Sequence, residues 1–326
     1  MEFTFLGTSS GAPTKTRNVS GVSLTLDNTS EWYLVDCGEG TQHRLLETSY
    51  TLSRLSAIFI THVHGDHCFG LPGLLASAQL TGRTKPLTIV APPGVRRFLS
   101  AVQEETDTHI GYELRFVEVA AGSVFQNEMV AVEAIELAHR VPSFAYRFTE
   151  PAPPRALDEE KVASWGIPRG PMWGQLKRGE TLVLDDGKHI GPEDCLGPPR
   201  RARSIIIAGD NATPALLADT CEEVDCLVHE ATYTEELMQA LEGDYQHSSA
   251  ASVARMADGV GLPNLVLTHF SRRFSDNDNS PNSILQIEHE VKKHYRHNLV
   301  LAQDLMNCRL SRDGRLQCKI QGSSID

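Results

Sequence analysis

The chain has 326 residues, 40% hydrophobic and 22% charged. That is enough apolar material for a sizeable core, and no apolar run reaches the roughly 18 residues that a membrane-spanning helix needs. With 42 acidic against 30 basic residues the net charge is −12. This argues against a generally basic nucleic-acid binder, although a local basic patch or bound cations can dominate one site.

The N-terminus, Met1-Glu2-Phe3-Thr4-Phe5-Leu6, enters a strand-like pattern without a secretory leader. Phe3–Ser9, Val22–Leu26 and Trp32–Cys37 are predicted strands, followed by a short helix over Thr41–Thr48. The apolar run Ala57-Ile58-Phe59-Ile60 predicts a buried strand, and a helix is expected from about Gly70 to Leu80. Pro86–Ala91 predicts a strand and Gly94–Glu105 a helix. Glu113–Val119, Met129–Leu137 and Phe144–Thr149 predict three more strands.

Residues 151–203 break the pattern. They are rich in proline and glycine, with helical periodicity only over Leu157–Trp165. They read as an insertion leaving the globule as a loop or arm. Its Met172, Trp165 and Trp173 lie beside Lys177, Arg178, Arg200, Arg201 and Arg203, which suits a substrate-handling role. The second half returns to short apolar strands, Ser204–Ala208, Asp225–Val228 and Asn264–Thr268, alternating with helices over 213–219, 248–258 and 282–296. Short strands alternating with helices predict an α/β fold with helix-covered sheets. The seven cysteines are odd in number and form no CxxC pair. They suggest reduced thiols in a cytoplasmic setting rather than a disulfide frame, with Cys68 a small buried residue.

The most informative segment is Thr61-His62-Val63-His64-Gly65-Asp66-His67. Three imidazoles and a carboxylate at a strand end have no packing rationale and are the donors zinc prefers, with iron or manganese as alternatives. His62 and His64 share a face and can grip one ion; Asp66 and His67 lie past the turn and can grip a second. Three further strand ends offer one ligand each: His139, Asp210 and His269. His62, His64, His139 and Asp210 suit one zinc. Asp66, His67, His269 and a shared Asp210 suit the other. Glu230, ending another strand, is expected to orient His247 and keep it charged as a proton donor.

These motifs resemble the metallo-β-lactamase superfamily and, within it, the short form of ribonuclease Z, a tRNA 3′-processing endonuclease. The His-x-His-x-Asp-His motif points only to the superfamily. Pro13-Thr14-Lys15-Thr16-Arg17-Asn18, His229-Glu230-Ala231-Thr232 with His247-Ser248, and Ala302-Gln303-Asp304-Leu305 narrow it. The resemblance implies a four-layer αβ/βα sandwich, a single domain over 1–326, with residues 151–203 inserted as a flexible tRNA-binding arm. It implies two Zn²⁺ per chain on His62, His64, Asp66, His67, His139, Asp210 and His269. Asp66, Glu230 and His247 become the catalytic residues, with Asp66 taking the proton of the attacking water and His247 protonating the leaving oxygen. Lys15, Arg17 and Asn18 are expected at the acceptor end of precursor tRNA, and Arg273 on a phosphate near the metals. A homodimer is implied, each arm presenting tRNA to the partner's site. Asn211, where many relatives carry threonine or cysteine, and a weakly basic arm are the departures. The competing expectations are a phosphodiesterase for a small ester such as a cyclic nucleotide, a non-catalytic RNA-binding subunit, and a redox protein of the same fold. The loop at Lys15–Asn18 and the long insertion argue against the first, the full ligand set against the second, and the want of a flavin domain against the third.

Overall fold

The computed structural model describes residues 1–184, 186–243 and 246–320. The chain divides into two compact units, Met1–Thr149 with Arg203–Asp326, and Glu150–Ala202. The larger unit contains two large sheets and a short parallel pair, Ser9–Ser10 with Phe270–Ser271. From edge to edge the first runs Leu316–Ile320, Met306–Leu310, Glu2–Gly7, Gly21–Thr25, Trp32–Val35, Leu55–Phe59, Leu87–Ala91 and Leu114–Glu118. The second runs Asn298–Leu301, Asn264–Thr268, Cys226–Glu230, Ser204–Ala208, Ser143–Thr149, Ala131–Leu137 and Gly122–Gln126.

Side-chain alternation along the strands builds the layers. Tyr33, Phe59, Tyr146, Phe148, Ile205, Val228 and Val266 point into one core between the sheets. Their neighbours Leu34, Ile58 and Ile89 point the other way, onto Leu71, Leu74 and Leu99 of the helices Leu71–Leu80 and Val95–Glu105. On the second sheet Ile206, Leu227 and Leu265 meet Val253 and Ala257 of Ala250–Gly259 and Ile287 of Leu285–Lys292. Both faces of the central strands are therefore buried, which explains why they read as continuous apolar runs. The result is the four-layer αβ/βα arrangement. Among the described residues no helix is long and apolar enough to cross a membrane.

Several expectations need correction. The segment 151–203 is not a structureless loop: helices Glu159–Ser164, Pro171–Lys177 and Pro192–Cys195 and the pair Leu182–Val183 with His189–Ile190 enclose a small core of Val162, Ile167, Trp173, Leu176 and Ile190. Trp165 carries Lys161 and Lys188 over its ring. The periodic run Leu157–Trp165 forms the helix Glu159–Ser164, and the other elements are one or two turns long, too short for a periodic signal. The cysteines are not all reduced, because Cys308 and Cys318 face each other across antiparallel strands and form a disulfide; Cys37, Cys68, Cys195, Cys221 and Cys226 are free and buried. The helix expected over 213–219 is a 3₁₀ turn, Pro214–Leu217, leading into Ala218–Cys221. Four strands at sheet margins, Gly122–Gln126, Asn298–Leu301, Met306–Leu310 and Leu316–Ile320, were not expected from the sequence.

Candidate metal centre

The ligand types sit where strands of both sheets end. The strand Leu55–Phe59 delivers Thr61–His67, Ala131–Leu137 delivers His139, Ser204–Ala208 delivers Asp210, and Asn264–Thr268 delivers His269. The loops are drawn tightly together. A Cβ on Gly209 would lie 2.5 Å from the Thr61 Cβ, and one on Gly38 would lie 2.3 Å from the Asp66 carbonyl oxygen. Phe144 N donates to Thr61 O at 3.1 Å, and Tyr146 Oη donates to Ile60 O at 2.7 Å, so the two sheets meet at the ligand loop.

Two ligand sets converge, His62, His64, His139 and Asp210, and Asp66, His67 and His269. Ring nitrogens face each other at short range: His62 Nε2 and His139 Nε2 lie 3.0 and 3.2 Å from His64 Nδ1, and His67 Nε2 lies 3.2 Å from His269 Nε2. Asp210 reaches both sets, with Oδ2 3.5 Å from His62 Nε2 and Oδ1 3.3 Å from His269 Nε2. Asp66 Oδ2 lies 3.4 Å from His269 Nε2 and accepts from Gly11 N at 2.7 Å.

The outer partners fix the tautomers. His67 Nδ1 donates to Asp36 Oδ2 at 2.7 Å, and His139 Nδ1 donates to the Gln246 carbonyl at 2.9 Å. Thr61 Oγ1 donates to Asp36 and so accepts from His62 Nδ1 at 3.1 Å. Thr232 Oγ1 donates to Glu230 and so accepts from His269 Nδ1 at 3.1 Å. Each of the four rings thus sets Nδ1 on an outer acceptor and turns Nε2 inward, the outer support expected around metal-ligating histidines. Burial would lower His67, but Asp66, Asp36 and Asp210 hold it well above its ordinary pKa, so the inward donor atoms already gather positive charge, which divalent cations would supply in full. The donor set therefore fits a metal.

Charge follows the same logic. Burial, reinforced by His67, His64 and His139, pushes His62 well below its ordinary pKa and keeps it neutral. Burial would raise Asp66, but His67 and His269 hold it far below the usual carboxylate range. The second pair is separate in kind. His247 Nδ1 lies 3.1 Å from Glu230 Oε1, whose carboxylate also accepts from Asn211 N at 2.9 Å and from Thr232 Oγ1. Burial would lower His247, but Glu230 by charge and hydrogen bond, with Asp210 behind it, raises its pKa to about 9. Asn211 in the departing position therefore supports Glu230 through its backbone. Burial pushes the Cys68 thiol up to about 11, and its Sγ contacts Val63 O, outside the ligand set.

An open cavity of about 680 Å³ lies over the centre, lined in part by Glu39, Asp66, Arg140, Glu242 and His247. Lys15 and Arg273 are exposed and line a second cavity of about 580 Å³. Arg17 requires correction. It is buried, its Nη2 2.5 Å from Asp276, its Nη1 donating to Thr8 Oγ1 and the Ala302 carbonyl at 2.8 Å, and its guanidinium over Phe270. It pins the loop instead of reaching out. Asn18 is half-buried, its N donating to Asp304 Oδ2 at 2.6 Å, and its Nδ2 is buried without a partner among the described residues. Sequence reasoning missed Asp36, Thr61, Thr232 and Arg140. Asp36 follows an apolar strand, Thr61 opens the ligand segment and Thr232 closes the His229–Thr232 motif, but none of the four was assigned a role.

The fold and the convergent ligand loops define a metallo-β-lactamase-fold protein. One such solved structure, YhfI from Bacillus subtilis, has a TM-score of 0.61 at 15% identity and covers 98% of this chain and 99% of its own. The family model of the anti-Pycsar protein Apyc1 matches residues 1–148. Ribonuclease Z of Marinobacter nauticus is 50% identical over 317 residues, 97% of this chain and 98% of that protein. Human tRNase Z, short form, has a TM-score of 0.64 at 28% identity over 94% of this chain and 98% of its own. The chain belongs to the ribonuclease Z family.

The different placements of Arg17 and Lys15 are testable by urea unfolding. Arg17→Ala should lose about 2–4 kcal/mol of stability, because it strips several hydrogen bonds and an ion pair from a buried position. Lys15→Ala should stay within about 0.5 kcal/mol of the parent, as an exposed surface change. Equal effects would contradict the assignment of Arg17 as an internal anchor.

Proposed function

We propose that this protein is a metal-dependent endoribonuclease that removes the 3′ trailer of precursor tRNA after the discriminator nucleotide. The observation that carries the reading is the Glu230–His247 pair beside the convergent ligand sets, in a chain half identical to a ribonuclease Z. His62, His64, His139 and Asp210 would hold one ion, and Asp66, His67, His269 and the shared Asp210 a second, both zinc in our reading, with Mn²⁺ or Fe²⁺ as the alternatives. Bound there, a pair of divalent ions supplies acidification of a water and stabilisation of the negative charge that develops on the phosphoryl group.

The chain's own groups do the rest. Asp66, held as a carboxylate, accepts a proton from the attacking water. The water oxygen forms the new bond to phosphorus as the bond from phosphorus to the tRNA 3′ oxygen breaks. His247, charged through Glu230, gives its proton to that departing oxygen. Water, not the 2′-hydroxyl, is the nucleophile, so the tRNA keeps a 3′-OH and the trailer a 5′-phosphate. Lys15, Asn18 and Arg273 are proposed contacts for the acceptor end. Residues 151–203 are the proposed holding arm for the tRNA body. A homodimer in the cytoplasm completes the reading; Leu46, just past the helix Thr41–Leu45, and Leu80, the last residue of Leu71–Leu80, are 84% and 87% exposed and offer apolar surface to a partner subunit.

Purified protein given a 3′-extended precursor tRNA should cut after the discriminator, and Asp66→Ala should reduce the rate at least ~10³-fold, the scale of losing a group that acts only in the transition state. A 2′,3′-cyclic phosphate at the product end would refute water as the nucleophile.

The raised pKa of His247 sets the alkaline limb. His247 is a proton donor below about 9, so kcat should fall as pH rises through that value. In Glu230→Gln the burial remains while the attraction is gone, and the limb should move acidward by about 1–2 units or more. A pH–rate profile with an unmoved limb would remove His247 from the acid role.

Deleting residues 155–200 should abolish precursor cleavage and spare hydrolysis of bis(p-nitrophenyl) phosphate. Loss of both activities would make the insertion a folding element instead.

A further inference from the structure

Arg140 follows the ligand-type residue His139 directly and belongs to neither the ligand sets nor the acid pair. It is exposed and lines the cavity over the centre. Among the described residues no carboxylate lies within ion-pair distance of its guanidinium. Its hydrogen bond there runs from Nε to His64 Nε2 at 3.2 Å.

That contact is chemically informative. A guanidinium only donates, so His64 Nε2 accepts, and the single proton of the neutral ring sits on Nδ1. Nδ1 is the atom that faces the lone pairs of His62 Nε2 and His139 Nε2. The other four ligand-type rings are held the opposite way, with Nδ1 donating to an outer acceptor and Nε2 facing inward. His64 is therefore the one ring whose observed partner opposes ligation. Holding a metal through Nδ1 moves the ring proton to Nε2, and Nε2–H and Arg140 Nε–H then meet donor to donor. Ligation by His64 and the Arg140 contact exclude each other.

We propose that loading a metal on His62, His64, His139 and Asp210 releases Arg140 from His64, and that the freed guanidinium binds a backbone phosphate of the RNA beside the scissile linkage. The second half rests on the ribonuclease reading above; the first does not. The released side chain stays at the cavity wall it shares with Asp66 and His247. Its planar fork matches two phosphate oxygens, which an ammonium cannot reproduce. The arrangement makes RNA capture depend on a loaded centre, because the same guanidinium cannot serve His64 and a phosphate together.

The two roles have opposite signs, and that separates them from a merely structural one. The full-length protein, stripped of metal by chelation, is titrated with zinc against a chromophoric competitor, as wild type, Arg140→Ala and Arg140→Lys. KM and kcat for a 3′-extended precursor tRNA are measured on the zinc-loaded forms. Arg140→Ala should bind zinc roughly 3- to 10-fold more tightly, since the hydrogen bond that opposes ligation is gone. Its KM for precursor should rise about 5- to 30-fold, the range for one charge-assisted phosphate contact, with kcat changing less. Arg140→Lys should keep part of the RNA binding as a point charge and fall between the two in KM. Zinc affinity at or below wild type in Arg140→Ala overturns the release. A wild-type KM in the same variant overturns the phosphate contact. A loosened site would weaken zinc and RNA together, which is the reverse of the expected pattern. If wild type itself fails to cut, the RNA half falls with the ribonuclease reading, and the zinc titration still decides the release.

Discussion

One buried carboxylate organises the centre. Asp36, 5% exposed and in a left-handed backbone conformation, accepts from Thr61 N at 2.8 Å, from Thr61 Oγ1 at 2.9 Å and from His67 Nδ1 at 2.7 Å. Those three bonds tie the ligand loop to the end of the neighbouring strand Trp32–Val35. They also decide what the loop can do. With Thr61 Oγ1 committed to Asp36, its lone pair is left for His62 Nδ1. With His67 Nδ1 committed as well, both rings turn their Nε2 atoms inward. A buried carboxylate is costly unless its lone pairs are satisfied, and here satisfying them is the same act as orienting two ligands.

The opposite wall repeats the device with Glu230. Its carboxylate takes the Asn211 amide, the Thr232 hydroxyl and His247, and the Thr232 oxygen in turn orients His269. Two acid–histidine units thus stand across one cavity with different consequences. His67 is 2% exposed and its free nitrogen meets His269 and the Asp66 and Asp210 carboxylates. His247 lines the open cavity. The same local chemistry suits ligation where the second nitrogen faces other donor atoms, and the proposed proton donation where the ring lines an open cavity.

This division explains what could be read from residues alone. The ligand set was legible because each member is a polar residue at the end of an apolar strand, and because His62, His64, Asp66 and His67 crowd one turn. Helix-covered sheets were legible from runs such as Ile205-Ile206-Ile207, apolar on both faces, while the four-layer order came only with the family resemblance. Arg17 was misread because its cation sits in a sequence indistinguishable from a surface loop, and only Asp276, 259 positions away, makes burial affordable. The same distance problem hid Asp304, which joins Thr8, Asn18 and Arg44 from the far end of the chain. The disulfide was hidden because cross-strand register, not spacing in the sequence, brings Cys308 to Cys318. Residues 151–203 form a core from one- and two-turn elements, where, outside Leu157–Trp165, neither period 2 nor period 3.6 has room to show.

A third grouping of donor atoms, Asp210, His247 and His269, also lies within ligating range, and it bears on whether His247 is an acid or a ligand. Asp210 Oδ2 sits 3.7 Å from His247 Nδ1. That nitrogen is the one engaged by Glu230 at 3.1 Å. Coordination through Nδ1 would displace its proton and leave the Glu230 carboxylate, 1% exposed, with a buried charge and one partner fewer. Such a loss is among the more expensive changes a protein interior can suffer. His269, by contrast, meets His67 through Nε2 while its Nδ1 stays on Thr232, so ligation through Nε2 uncouples nothing. The cost of uncoupling Glu230 therefore sets His247 apart from the two ligand sets and keeps its charge available for the proton donation proposed above.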